Sequence, residues 1–158
     1  MRAEALRRFI LAHGGWDSAA EMALHFAARR EHWAKLIQPA LVAGLWVICD
    51  RFHDSTYAYQ VAGQGAEPAV FEALRQALIP DAVPDFTFVL DLPEGVGLRR
   101  ARDANRYEAM GGVFHARVRQ GFLARAAAER GRITILDATR PVNEVSATIL
   151  HRLLDVAS

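Results

Sequence analysis

Residues 46–49 (Trp-Val-Ile-Cys) form an apolar run too short for a helix, lying two residues after Gly44 and stopping at the charged pair Asp50-Arg51. Such a run reads as a buried strand. Two further runs share the pattern: residues 86–92, with Asp91 near the end, and residues 133–136, followed by Asp137. Strands of this kind, spaced by helical patterns, predict an α/β fold with a parallel sheet and flanking helices. Ligands of open α/β sheets bind outside the carboxyl ends of the strands, so Asp50 and Arg51 become the first candidate site residues. Ser55, Thr56, Tyr57, Tyr59 and Gln60 follow them, hydroxyls and an amide suited to reading a small polar molecule. An aspartate–arginine pair at a strand end can equally be a surface salt bridge, so the pair alone names no chemistry.

The segments between these runs carry helical punctuation. Residues 3–13 place Leu6, Phe9, Ile10 and His13 on one side and stop at Gly14-Gly15. Ser18 and Glu21 have capping-box spacing, and Met22, Phe26, Trp33 and Ile37 then recur as one helical face. Pro39 is placed to kink or restart that helix, and Gly44 to end it. Gly63 and Gly65 form a loop that lacks the third glycine of a dinucleotide fingerprint, and Pro68 sits at a first helical position. A long helix carrying Phe114, Val118, Phe122 and Leu123 follows, and the last carries Val145, Ile149 and Leu153. No repeat or linker divides residues 1–158, which predicts a single domain.

Composition narrows the partners. A net charge of +1 gives no bulk electrostatic case for nucleic acid. The basic residues are arginines except for Lys35, so any phosphate site must use guanidinium forks or backbone amides. Cys49 is the single cysteine, expected as a small buried hydrophobe in its strand. His13, His25, His32, His53, His115 and His151 have no metal-site spacing. No apolar run is long enough to span a membrane and no signal-peptide core stands at the N-terminus, which predicts a cytoplasmic protein.

Residues 45–60 as a whole closely resemble the Asp-Arg-[Phe/Tyr/His] and Ser-Thr-x-Ala-Tyr-Gln segments of bacterial thymidylate kinases. Residues 24–30 (Leu-His-Phe-Ala-Ala-Arg-Arg) resemble the same family's helix with a Phe-x-x-x-Arg pair, which assigns Phe26 to stacking on thymine and Arg30 to a base carbonyl. Arg29, where relatives often carry an acid, receives no role. Residues 98–108 resemble the lid that closes over ATP, short here at about 99–108. Its Arg99, Arg100, Arg102 and Arg106 would stabilise the transferring phosphoryl group; Asn105 stands where relatives usually carry aspartate. The Asp-Ala-Thr-Arg-Pro turn at 137–141 resembles the family's adenine-side turn, giving Thr139 and Arg140 to the nucleotide donor.

The resemblance implies a P-loop nucleoside monophosphate kinase fold and phosphoryl transfer from ATP, with Mg2+, to dTMP. It further implies that Arg51 holds the acceptor phosphate and that Thr56 and Gln60 contact base or sugar. Tyr59 would crowd the ribose 2′ position. Asp50, through water, and Glu108 are implied near the metal, and a homodimer is the expected assembly.

One family element is not in the sequence. The phosphate cradle Gly-x-x-x-x-Gly-Lys-[Ser/Thr] needs a lysine, and Lys35 lies between Ala34 and Leu36. The expectation is therefore the family fold with its N-terminal P-loop strand and helix absent. The P-loop strand lies between the 46–49 and 86–92 strands in the family, so two strand edges are expected to lack ladder partners, each buried orphan group costing about 1–3 kcal/mol. Such a chain is expected to transfer little phosphate itself. The alternatives are a non-catalytic nucleotide-binding remnant and an interaction module that uses Met22 and Trp33 as a partner surface.

Overall fold

The computed structural model describes residues 2–93, 96 and 106–157. Arg99, Arg100 and Arg102 of the expected lid lie outside the described residues. Helix α1 (Arg2–Ala12) packs along α2 (Ser18–His32). Asp17 caps α2, its Oδ1 accepting from the Ala19 and Ala20 amides at 3.0 and 3.1 Å. The capping box expected of Ser18 and Glu21 does not form, because Glu21 is fully buried in a polar network of its own.

Helix α2 runs on through a π turn (Trp33–Ile37) into α3 (Gln38–Val42). Pro39 has no N–H to donate and its ring crowds the preceding turn, so the helix widens there, with Gln38 N–H bonding the Trp33 carbonyl. Gly44, at φ 75°, takes the chain out of the helix. A short α4 (His53–Thr56) and a second π turn (Tyr57–Gly63) lead to α5 (Pro68–Leu78), with Pro68 in its first turn as expected.

The sheet among the described residues is two parallel strands, β1 (Thr87–Asp91) and β2 (Ile133–Asp137), in register from Thr87↔Ile133 to Asp91↔Asp137. Their β-branched and aromatic residues suit a pleated half-buried surface, and both end on an aspartate at the same sheet edge. Helix α6 (Gly111–Ala128) connects them and α7 (Val142–Ala157) follows.

Residues 45–49 overturn the first strand expectation: they form no ladder, and Trp46 and Ile48 are 68% and 94% exposed. A strand exists only against a partner, and no strand among the described residues pairs with this run. Cys49 is accordingly an exposed free thiol rather than a core residue.

Two apolar clusters hold the fold. Met22, Phe26, Val61, Phe71 and Ile79 form one; Met22 is thus committed to the interior, and Trp33, partly buried, packs against the same cluster. Ala58, Tyr107, Phe114 and Val118 form the other. The π turn at 57–63 sits so close to α6 that a Cβ on Gly121 would lie 2.7 Å from the Ala62 Cβ and 2.9 Å from the Ala58 Cα.

A charged clamp ties these layers together. Asp54, 4% exposed, accepts from Arg132 Nη1 and Nη2 at 2.9 Å each and from Arg125 Nε at 3.1 Å. Glu129 pairs with both arginines, and Arg132 also reaches the Thr87 hydroxyl at 2.7 Å. The clamp joins α4, α6 and the start of both strands, and so fixes the segment that begins at Arg51.

Candidate functional site

A cleft of about 380 Å³ opens between α1, α2 and the segment 49–60. Helix α2 contributes His25, Ala28, Arg29 and His32, spaced i, i+3, i+4, i+7 and hence on one helical face. Asp50, Arg51, Phe52, Ser55, Tyr59 and Gln60 supply the opposite wall, and Tyr107 closes the floor.

Arg29 is held by the backbone: Nη1 donates to the His25 carbonyl at 3.1 Å and Nη2 to the Phe52 carbonyl at 2.8 Å. Its Nε is buried without a partner. Burial pushes its pKa down to about 10, with the like charge of Arg7 adding to the effect, yet it stays cationic at neutral pH. No carboxylate among the described residues pairs with it. Arg51 is a second such guanidinium. Its backbone lies at φ 67°, the left-handed region that a branched or long side chain enters only under constraint. That geometry sets its head group 5.0 Å from the centre of the Tyr59 ring. Asp50 stands beside it, exposed.

Beneath these lies a buried polar network. The Tyr107 hydroxyl contacts Glu21 Oε1 at 2.5 Å, His25 Nε2 at 3.0 Å, Gln60 Nε2 at 3.1 Å and Arg106 Nη2 at 3.1 Å. Arg106 pairs with Glu21, and Gln60 and Gln64 also donate to it at 2.9 and 3.0 Å. Burial opposes ionisation of Glu21, but the hydrogen bonds of Tyr107 and Arg106 and the arginine's charge prevail and hold its carboxyl below the usual range. The His25 pKa is lowered as well, which for an imidazole favours the uncharged form: burial, then the charge of Arg29, brings it to about 4, so its ring is neutral. The Tyr107 phenol is raised well above its ordinary value by burial and by Glu21.

Sequence-predicted residues divide accordingly. Asp50, Arg51, Tyr59 and Gln60 come together on the cleft; Gln60, however, commits its amide nitrogen to Glu21 and Tyr107. Arg106 joins the network below rather than lining the cleft. Phe26 does not reach the cleft: fully buried, its ring packs edge-on against Phe71 at 5.4 Å. Arg30 lies on the far side of α2 and donates to the Leu78 carbonyl at 3.2 Å. Residues 25 and 30 are about 140° apart around a helix at 3.6 residues per turn. The aromatic–guanidinium pair on the cleft is therefore His25 and Arg29, one position earlier than the sequence motif placed it.

Thr56 is also withdrawn, 1% exposed with its hydroxyl buried and unpartnered. Thr139 bonds Asp137 through its amide and hydroxyl at 2.9 and 2.6 Å, and Arg140 pairs with Glu144 at 2.8 Å. Both stand at the carboxyl end of β2, outside the cleft. Glu108 lies in a short turn (Glu108–Met110) and likewise does not line it. No group of three potential metal ligands occurs among the described residues. The missed residues, His25, Arg29 and Tyr107, had one available signal: the 25, 28, 29, 32 spacing marks a second helical face beside the apolar one.

Comparison with known proteins places this geometry. A family profile described as thymidylate kinase matches residues 2–149. The thymidylate kinase of Methylococcus capsulatus is 45% identical over 149 residues, spanning 92% of this chain and 72% of that protein. That of Pseudomonas fluorescens Pf-5 is 46% identical over 143 residues, 87% of this chain and 68% of the relative. The crystal structure of thymidylate kinase from Ehrlichia chaffeensis superposes with a TM-score of 0.75 at 33% identity, covering 95% of this chain and 72% of that one. An α/β chain with a parallel two-stranded sheet, an arginine-lined cleft at 49–60 and this extent of likeness belongs to the thymidylate kinase family.

Proposed function

We propose that the cleft binds the phosphoryl acceptor of a thymidylate kinase reaction, dTMP, with ATP as donor and Mg2+ as the accompanying ion. The observation that carries this reading is the presence of two guanidinium groups, Arg29 and Arg51, on one cleft and without carboxylate partners among the described residues. Unpaired cations in a half-buried cleft favour an anionic, carbonyl-bearing occupant.

In this reading Arg51 forks the acceptor phosphate and Arg29 donates to a base carbonyl through its nitrogens nearest the cleft. The Tyr59 ring, already seated against Arg51, crowds the sugar and favours a deoxyribose. The reacting oxygen of the acceptor phosphate is anionic from the start, so no general base is required, and holding it in line supplies most of the rate gain. Mg2+ in phosphoryl-transfer sites keeps several waters and phosphate oxygens and needs only one or two carboxylates; the exposed Asp50 beside Arg51 fits that need. Bound there, the ion would neutralise charge on the transferring group. Arg99, Arg100 and Arg102 are proposed for the same charge from the lid side, with Thr139 and Arg140 nearer the donor's base. No residue is assigned to cradle the triphosphate, since the chain holds no Gly-x-x-x-x-Gly-Lys motif. These 158 residues are accordingly proposed to bind acceptor well and to transfer poorly, in the cytoplasm and as a homodimer.

Calorimetric titration with dTMP tests the reading. Saturable binding that weakens at least about tenfold in both Arg51→Ala and Arg29→Met is expected, a loss of about 1.4 kcal/mol or more. Absence of binding, or binding indifferent to both substitutions, overturns it.

A further inference from the structure

Arg51 is a strained residue with little of its own to hold it. Its φ of 67° lies in the left-handed region, which a residue with a Cβ leaves unless its surroundings prevent it. Its side chain is exposed, meets no carboxylate among the described residues and touches the Tyr59 ring from 5.0 Å. The Cys49 thiol, 3.6 Å from the Arg51 carbonyl, adds only a weak bond from the same segment. The Asp54 clamp grips the chain three residues further on. Closer in, the Phe52 carbonyl oxygen accepts from the Ser55 amide at 3.1 Å and from Arg29 Nη2 at 2.8 Å. The Ser55 bond belongs to the first turn of α4 and moves with it. The Arg29 bond crosses to α2, where Nη1 of the same guanidinium donates to the His25 carbonyl at 3.1 Å. One guanidinium therefore brackets α2 to the peptide beside Arg51, and a bond from an ionised donor is about twice as strong as a neutral one.

We propose that Arg29 is a positioning residue for Arg51: its bond to the Phe52 carbonyl holds the left-handed turn that keeps the Arg51 guanidinium over Tyr59 and on the cleft. With the bracket gone, residues 50–52 relax toward an ordinary backbone and the Arg51 head group leaves the Tyr59 ring. This role is separate from any contact Arg29 makes with an occupant of the cleft, because it is exerted on the chain and is present before anything binds. It makes the two cationic ends of the cleft interdependent: a substitution at 29 is felt at the phosphate that Arg51 holds. That effect on a ligand rests on the reading of the cleft as an acceptor site, whereas the holding of Arg51 does not.

Side-chain proton spectra of the free chain read the turn directly. A guanidinium stacked on an aromatic ring carries its neighbouring methylene protons into the ring's shielding cone, so the Arg51 Hδ resonances should lie upfield in the unsubstituted chain. Tyr59→Leu should abolish that shift and identify its source. Arg29→Met, which keeps an apolar stem but has no side-chain N–H, should lose most of it, and Arg30→Ala should keep it. Arg29→Lys keeps the positive charge, but a single ammonium cannot bridge the His25 and Phe52 carbonyls as two separated nitrogens do, so it too should lose most of the shift.

Titration with dTMP and with thymidine reads the same coupling in binding, since the ratio of their affinities isolates the phosphate. Arg51→Ala and Arg29→Met should each lower that ratio by about fivefold or more, and Arg29→Met added to Arg51→Ala by less than about twofold, the non-additivity of one residue acting through another. A ratio untouched by Arg29→Met, or lowered equally in both backgrounds, overturns the inference: the first confines Arg29 to the base, the second to its bare charge. An Arg51 shift that survives in Arg29→Met and Arg29→Lys overturns it as well. Failure of the unsubstituted chain to bind dTMP overturns the reading of the cleft alone, and the Arg51 shift then decides the inference.

Discussion

Replacing Asp54 by Asn tests the physical account of how Arg51 is held. Asp54 is 4% exposed and anchors three N–H donors from Arg132 and Arg125, whose side chains are themselves only 10% and 14% exposed. Removing one partner of a buried ion pair costs about 3–5 kcal/mol because the other charge stays desolvated. Glu129 remains to both arginines and the Asn oxygen can keep one bond, so the lower end, about 3 kcal/mol, is expected. For a chain of this size that corresponds to roughly 6–12 °C in the melting midpoint.

The penalty has a defined pH dependence. Burial would raise the Asp54 carboxyl, but hydrogen bonding from Arg132 and the nearby positive groups lower it below its ordinary value. A depressed carboxyl contributes stability that is present above the unfolded pKa, about 3.9, and is lost as pH falls through the folded pKa. Urea unfolding at pH 7 should therefore show the full gap between the two proteins, and the gap should close progressively below about pH 4. A gap under 1 kcal/mol at pH 7 would refute the clamp, and one that stays constant down to pH 3 would refute its ionic origin.

Three further outcomes follow from the same geometry. Phe26→Ala should cost about 3–5 kcal/mol in stability by opening a core cavity beside Phe71. It should leave nucleotide affinity of the folded fraction unchanged, whereas a base-stacking Phe26 would show the reverse. Arg29→Met should weaken dTMP binding by about tenfold or more and Arg30→Ala by less than about twofold, and equal effects in the titrations would overturn the assignment of the cleft face. Gly121→Ala should destabilise by about 1–2 kcal/mol in thermal melts, since crowding against Ala58 and Ala62 outweighs the gain in helix propensity. An unchanged or raised midpoint would refute that packing.

Local signals carried much of the architecture. The glycine stops at 14–15 and 44, Pro68 at a helix start, and the β-branched runs before Asp91 and Asp137 each act within a few residues, and elements appear where they point. The likeness of residues 45–60 to thymidylate kinases likewise resides in contiguous side chains, which is why Asp50, Arg51 and Tyr59 were legible as neighbours of a cleft. The 46–49 run was not legible in the same way: its composition favours a strand, but a strand's hydrogen bonds belong to its partner and none of the described residues supplies one.

The division within α2 shows most plainly what sequence fixes and what folding adds. Periodicity shows that this helix has an apolar stripe and a polar flank, but 25 and 26, like 29 and 30, differ by only about 100°. Which side becomes wall and which becomes cleft was decided by residues distant in the chain. Phe71 seats Phe26 in the interior, the Leu78 carbonyl draws Arg30 away, and the Phe52 carbonyl and Tyr107 hydroxyl turn Arg29 and His25 to the opening. Helical propensity is a property of neighbours along the chain; the direction a helix faces is a property of what packs against it.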